Sequence, residues 1–122
     1  MGNLEFRLTA GGADQATEGQ TVYGSQNGTK YASNAFDANE TTTFWNTQKA
    51  NVADAWIGQD FGSAVEITEI EIGARVDGNN YDQTPHYFQV WHSDDGTNWT
   101  SILTVENESA WSSGEQRVYT VQ

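Results

Sequence analysis

Apolar residues along this chain fall in short alternating or β-branched runs, each closed off by turn residues. The runs cover 4–8 (Leu-Glu-Phe-Arg-Leu), 55–61, 65–72, 87–92, 101–105 and 117–121. A period of two places successive side chains on opposite faces, the signature of half-buried strands. Gly11-Gly12, Asn27-Gly28, Gly62-Ser63, Asp77-Gly78-Asn79-Asn80 and Asp95-Gly96 supply the turns between them. Asp95-Gly96 separates the 87–92 and 101–105 runs and predicts a hairpin cap. Helical patterning is confined to a short turn over 31–36, and Leu occurs only at positions 4, 8 and 103. No internal repeat or linker interrupts the pattern, so 1–122 is expected to form a single all-β sandwich domain. The polar stretch 11–30 has few apolar anchors. It either wraps the sandwich as irregular structure or is mobile, and long loops tend to carry function.

Composition narrows the function classes. The 122 residues include five each of Trp, Tyr and Phe, enough bulk for a core that buries about two thirds of the unfolded surface. Seventeen acidic side chains stand against five basic ones, a formal charge of −12. That field repels phosphate backbones, and five scattered cations form no basic stripe, which argues against nucleic acid as a partner. It equally disfavours insertion at anionic lipid. There is no cysteine, hence no disulfide or thiolate metal site. No apolar window approaches the length of a membrane span. Met1-Gly2-Asn3-Leu4 lacks the features of a signal peptide, and Phe6 stands where a myristoylation motif needs Ser or Thr. Asn27, Asn39, Asn98 and Asn107 begin Asn-x-Ser/Thr triplets, which matter only in a eukaryotic secretory pathway.

Three segments in order carry a family resemblance. The first is Ala32-Ser33-Asn34-Ala35-Phe36-Asp37-Ala38-Asn39, followed by Thr42, Thr43, Phe44 and Trp45. The second is Trp56-Ile57-Gly58-Gln59-Asp60-Phe61-Gly62, leading into Val65-Glu66-Ile67-Thr68-Glu69-Ile70. The third is Phe88-Gln89-Val90-Trp91 with Ser93-Asp94-Asp95-Gly96-Thr97-Asn98-Trp99. Together they resemble the coagulation factor V/VIII type C, or discoidin-like, domain, which is similar to many galactose-binding-like carbohydrate modules. The resemblance runs from about Ala32 to Trp111. It implies a jelly-roll β-sandwich with a ligand site on loops at one end, in an extracellular or virion-surface setting.

Read for their own chemistry, Trp56, Ile57 and Phe61 sit in a nearly uncharged strand and are expected in the core. Trp99 follows a turn and is expected to pack across the hairpin mouth, also core-like. Trp45 and Trp111 each follow a polar loop and could face ligand or core. Ca²⁺ takes six to eight oxygens, which a tight loop supplies from one carboxylate with carbonyls and hydroxyls. The resemblance implies a structural calcium here: Asp37 matches the family aspartate, Asn34 and Asn39 the carbonyl positions, and Thr42 or Thr43 the hydroxyl. The alternative is that Asp37 simply caps a turn.

A pyranose offers an apolar face for an aromatic ring and hydroxyl pairs for Arg, Asn, Asp or His. Stretches 23–31, 46–49, 75–82 and 84–87 have that mixture, with Tyr23 and Tyr31 as the candidate rings of the first. Galactose-binding relatives carry His after the Trp, where this chain has Asn46, a departure that weighs against galactose itself. They also use a strand-end Arg with an Asn five residues on, which Arg75 and Asn80 match, and Tyr81 could supply the ring. The alternative for Arg75 is an ion pair with Asp77 or Glu71. His86 and His92 are expected to hydrogen-bond locally, because their spacing offers no shared metal ligand set.

The resemblance also implies a closing strand with a final Glu, and residues 4–12 look like that strand placed first. The domain is therefore expected to be truncated or permuted at its C-terminus, with an open sheet edge that invites strand completion or a homo-oligomer. Two functions compete: a non-catalytic carbohydrate-binding module for surface glycans, and a structural or adhesive module assembling a larger extracellular or viral particle. An enzyme is the weakest reading. Any pair among seventeen acids could imitate a glycosidase dyad, and no Gly-x-Ser-x-Gly, phosphate loop or His-Glu-x-x-His occurs.

Overall fold

Among the described residues, seven strands and three short 3₁₀ turns carry the fold. A computed structural model describes residues 1–24, 26–39, 41–47 and 55–121. In chain order the strands are β1 (Asn3–Arg7), β2 (Thr21–Tyr23), β3 (Ile57–Gln59), β4 (Glu69–Gly73), β5 (Phe88–His92), β6 (Thr100–Val105) and β7 (Gln116–Thr120). The 3₁₀ turns are Glu18–Gln20, Ala32–Phe36 and Asn80–Gln83. All pairing is antiparallel: β4 is central in a β1-β4-β7 sheet, β2 pairs with β3, and β5 pairs with β6.

Alternation sets the layers. Leu4 and Phe6 of β1 stand opposite Ile72 and Ile70 of β4, and Tyr119 of β7 stands opposite Ile70. These meet Phe88, Val90, Ile102 and Leu103 of the β5–β6 hairpin around one core. Phe88 and Tyr119 touch edge to face at 5.1 Å between ring centroids. The Ala32–Phe36 turn closes the core with Ala32, Ala35 and Phe36 buried, Phe36 stacking 6.1 Å from Phe6. Burying each large aliphatic contributes about 1.5–3 kcal/mol, so Leu4, Ile70 and Ile72 are main supports of the sandwich.

The other face of the three-stranded sheet is polar yet covered. Arg7 donates to Glu5 at 2.6 Å, Glu71 at 2.8 Å and Glu69 at 3.1 Å. The Gly11 N–H adds a bond to Glu69 at 3.0 Å. Residues 14–15 cover the outer edge of β1, where Gln15 N–H donates to the Phe6 carbonyl and Phe6 N–H to the Asp14 carboxylate. Among the described residues, β5 pairs only with β6 and β7 only with β4.

Each of the six apolar runs contains a strand, and the 31–36 turn is the 3₁₀ turn Ala32–Phe36. The Asp95-Gly96 turn does join β5 to β6. Strand β2 escapes the pattern because three residues are too few to show a period. Two tryptophans depart from expectation. Trp56 is 51% exposed: its carbonyl accepts from Gly24 N–H, and its indole lies so close over Gly24 that a Cβ there would sit 2.1 Å from Nε1. The neighbouring Ile57 turns to the core instead. Trp99, just before β6 at the hairpin mouth, is 53% exposed. Trp45 and Trp111, open from sequence, are both core.

Candidate ligand-binding loops

Loops from three parts of the chain meet at Phe44. The Asn27-Gly28 turn closes with Lys30 N–H on the Asn27 carbonyl, and Asn27 N–H reaches across to the Asn46 carbonyl at 3.0 Å. Gly28 takes φ +54°, a left-handed value that suits glycine at this turn. Lys30 Nζ lies 5.7 Å from the Phe44 ring centre, and the Arg75 guanidinium carbon lies 3.4 Å from it. The Asn34 amide donates to the Phe44 carbonyl at 3.1 Å. The loops carrying Tyr23, Tyr31, Asn46 and Arg75 are thus gathered at one end, although they are far apart in sequence.

Arg75 is only 6% exposed, because it follows β4 into the loop beneath Phe44. Its Nε and Nη2 grip both oxygens of Asp77 at 2.7 and 2.5 Å, and Nη1 donates to Gln83 at 2.9 Å. Asn80 donates to the Asp77 carboxylate at 3.2 Å and accepts from Gln83 at 3.0 Å. The bond from Arg75 holds the Asp77 carboxyl below the usual carboxylate range, with help from Asn80 and against partial burial. Arg75 therefore pairs with Asp77, while Glu71 goes to Arg7. The Tyr81 ring is half-buried against the core, and its carbonyl accepts from the Thr84 hydroxyl at 2.7 Å. His86 bonds the Asp82 carbonyl locally at 3.2 Å.

Tyr23 and Tyr31, both about half-exposed, come together. With Glu18, Thr21, Gln26 and Ser33 they line a depression of about 270 Å³. Two phenol rings thus stand beside hydroxyl, amide and carboxylate groups. Of the polar stretch 46–49, Gln48 and Lys49 lie outside the described residues.

The Asp37 loop is drawn tight by its own side chains. Asp37 Oδ1 accepts from Asn39 N–H at 2.8 Å, and Ala38 between them takes φ +55°. Thr43 Oγ1 lies 2.6 Å from Asp37 Oδ2 and 3.0 Å from the Asn39 carbonyl. The Thr42 hydroxyl instead accepts from the Asn39 amide at 2.6 Å. Of the two threonines, Thr43 is the one at the aspartate. Among the described residues, no group of three or more His, Asp or Glu is arranged to hold a metal. Three hard oxygens nevertheless converge here, and one hydroxyl proton serves two acceptors.

The F5/8 type C domain family model matches residues 13–121. The chain belongs to the F5/8 type C domain family. Its fold is accordingly the galactose-binding-like β-sandwich of that family, in agreement with the antiparallel layers above. No curated protein and no solved structure matches the chain. F5/8 type C domains bind carbohydrates or other ligands, are generally non-catalytic and are typically extracellular. Among the described residues, no helix is long and apolar enough to cross a membrane.

Three residues of this F5/8 type C loop cluster escape a sequence reading: Lys30, Phe44 and Gln83. The sequence assigns Phe44 no role of its own, and only the fold shows that it joins the Lys30 turn to Arg75. Gln83 sits eight residues beyond Arg75, and the Asn80–Gln83 3₁₀ turn brings it back.

Proposed function

We propose that this domain is a non-catalytic carbohydrate-binding module that recognises surface glycans through the loops at the Phe44 end. The observation that carries the reading is the depression between Tyr23 and Tyr31, with Thr21, Gln26, Ser33 and Glu18 around it. A pyranose stacks its C–H face on such rings, while its hydroxyls bond the polar rim. Asn46 and Asn80 flank the cluster as further hydrogen-bonding groups. Arg75, already bonded to Asp77 and Gln83, acts as a positioning residue that holds the 75–83 loop, and Tyr81 supports it from beneath. The site is shallow, so single-site affinity is weak and useful retention comes from several copies. The extracellular or virion surface is the setting in which such a module meets its glycans.

A structural Ca²⁺ belongs to this reading. Asp37 Oδ2, the Asn39 carbonyl and Thr43 Oγ1 would hold it, with Asn34 on the same loop. Its charge would relieve the crowding of oxygens and fix the loop that ends at Phe44 and Asn46. It has no part in chemistry.

A second reading, assembly of a larger extracellular or viral particle through strand completion or a homo-oligomer, is favoured by β5 and β7 each pairing with one strand among the described residues. A glycan array probed with the purified domain, with calcium and then with chelator, separates the two. Binding to a defined sugar that is lost in Tyr23→Ala and Tyr31→Ala is expected. A blank array, with stable oligomers in sedimentation, would replace the glycan reading with the assembly one.

A further inference from the structure

The β5–β6 hairpin carries a second aromatic surface, remote in sequence from the Tyr23–Tyr31 depression. Its inner face is fixed by Phe88, Val90, Ile102 and Leu103 packing against the core. Gln89 and Trp91 on β5 therefore point outward, with Gln89 opposite Thr104 and Trp91 opposite Ser101. A register shift between Val90 and Trp91 absorbs one extra residue on β6 and keeps Ser101 outward. Two residues before Ser101, Trp99 falls on the same outer face as the diagonal neighbour of Trp91. Trp91 is 48% exposed and Trp99 53%. Two exposed tryptophans thus belong to this hairpin, Trp91 opposite Ser101 within it and Trp99 just before β6, with the uncharged Gln89–Thr104 pair next to Trp91 on the side away from Trp99. Gln89 and Thr104 bond each other across the strands at 3.3 Å.

The charge around this face selects the occupant. No Lys or Arg occurs between Arg75 and Arg117, so nothing on the hairpin can grip phosphate, sulfate or carboxylate. Asp95, at the hairpin tip, is exposed but tied into its own turn. It accepts from Thr97 N–H, Asn98 N–H and the Asn98 amide, all at 2.7–2.8 Å. The charges at the hairpin tip, Asp94 and Asp95, are both acidic, and the strand residues Gln89, Trp91, Ser101 and Thr104 are uncharged. A second copy of a chain with net charge −12 is repelled from this face. The chemistry left is a neutral polyol with apolar faces, long enough to cross both rings.

We propose that the outer face of the β5–β6 hairpin binds an extended neutral polysaccharide chain, with successive sugar faces lying on Trp91 and Trp99. Ser101 hydrogen-bonds hydroxyls beside Trp91, and Gln89 and Thr104 bond those of the next sugar on the side away from Trp99. The proposal rests on the glycan reading above but places a second contact surface away from the loops. The loop depression takes a terminal sugar, and the flat hairpin takes the interior of a chain.

The test is depletion of the purified domain from solution by insoluble cellulose, chitin, xylan and a mixed-linkage β-glucan, each tried in turn. Wild type, Trp91→Ala, Trp99→Ala and Tyr23→Ala/Tyr31→Ala are compared, with thermal melts confirming that each is folded. Wild type is expected to bind at least one polysaccharide. Each tryptophan variant should bind it roughly tenfold more weakly, while the tyrosine double variant stays near wild type. Equal binding by wild type and both tryptophan variants overturns the hairpin site. So does failure on all four polysaccharides by a protein that still binds soluble oligosaccharides through Tyr23 and Tyr31. Failure of both kinds of binding overturns the glycan reading itself. Should Trp91→Ala abolish capture of a cationic peptide or a concentration-dependent dimer in place of polysaccharide binding, the occupant is a protein and the proposal is wrong.

Discussion

Replacing Arg75 by Ala tests whether this side chain holds the loops or touches ligand. The substitution removes a guanidinium 3.4 Å from the Phe44 ring centre and 6% exposed, a desolvated cation–π contact worth about 1–2 kcal/mol. It also strips the apolar stem of Arg75 from the packing around Phe44, about 1 kcal/mol. The bonds to Asp77 add less than about 1 kcal/mol, because the Asp77 side chain is 42% exposed and returns to water once released. Together the loss is about 3 kcal/mol. With a urea m-value of roughly 1.5 kcal/mol/M for a domain of this size, the unfolding midpoint should fall by about 2 M. Arg75→Lys keeps the charge but loses the planar fork and the stack, and should recover less than half of the difference. A Phe44→Leu partner completes a double-mutant cycle whose coupling should be about 1 kcal/mol or more. Should Arg75→Ala unfold within about 0.5 kcal/mol of wild type while glycan binding disappears, the positioning role is refuted and Arg75 is itself a ligand contact.

Calcium should raise the melting temperature of wild type, and Asp37→Asn or Thr43→Val should abolish that rise, whereas Thr42→Val should keep it; equal behaviour of the two threonine variants in differential scanning calorimetry would undo the assignment. The depressed Asp77 carboxyl stabilises the fold above its unfolded value of about 3.9 and loses that contribution as pH falls through its lower folded value. Melting temperature should therefore drop as pH falls below about 4, less steeply in Asp77→Asn, and parallel profiles would refute the coupling. Gly24→Ala must push the Trp56 indole aside, because its Cβ would lie 2.1 Å from Nε1. Since Trp56 is half-exposed, the cost should be about 1 kcal/mol, accompanied by a shift in tryptophan emission; unchanged fluorescence would mean that the ring does not lie there. Trp111→Phe removes the indole N–H that donates to the Pro85 carbonyl at 3.3 Å and shrinks the ring 4.0 Å from Arg117, for an expected loss of about 2 kcal/mol in chemical denaturation.

The strands are legible in sequence because their alternation is enforced by a one-sided core: Leu4, Phe6, Ile70 and Ile72 all face in, and their neighbours face out. The individual tryptophans are harder to read. Trp56 and Trp99 are as apolar as Trp45 and Trp111, yet the first pair lies outside and the second inside. The difference lies in what stands beside each ring: Gly24 leaves room for the Trp56 ring on the solvent side, while Trp99 lies at the exposed mouth of the β5–β6 hairpin. Neither partner is deducible before strand register is known. At the loop end, Tyr23, Tyr31, Asp37 and Arg75 stand out as residue types, but their grouping depends on Phe44, whose neighbour Lys30 is fourteen positions upstream and whose neighbour Arg75 is thirty-one downstream. The choice of Thr43 over Thr42 depends on the left-handed Ala38, which no residue type announces.

The polar face of the three-stranded sheet bears on how the chain finds its pairing. Alternation alone forbids β1 from sliding by one residue along β4, because Leu4 and Phe6 would turn outward. It does not forbid a slide by two, which keeps every apolar side chain facing the core. Arg7 supplies the missing check, because only in the observed alignment does it stand opposite Glu69 while also reaching Glu71. Gly73 supplies a second, since it lies opposite Asn3 and any Cβ there would come within 3.1 Å of the Asn3 Cβ. One guanidinium and one missing side chain, at opposite ends of the same pair of strands, thus act as a key with two teeth. A pairing slid by two sets a bulkier residue, Glu71 or Arg75, against Asn3, and in one direction also places Arg7 opposite Ile67. The covered charges of this face therefore serve the uniqueness of the fold more than its depth, and they act on strands more than sixty residues apart in the chain.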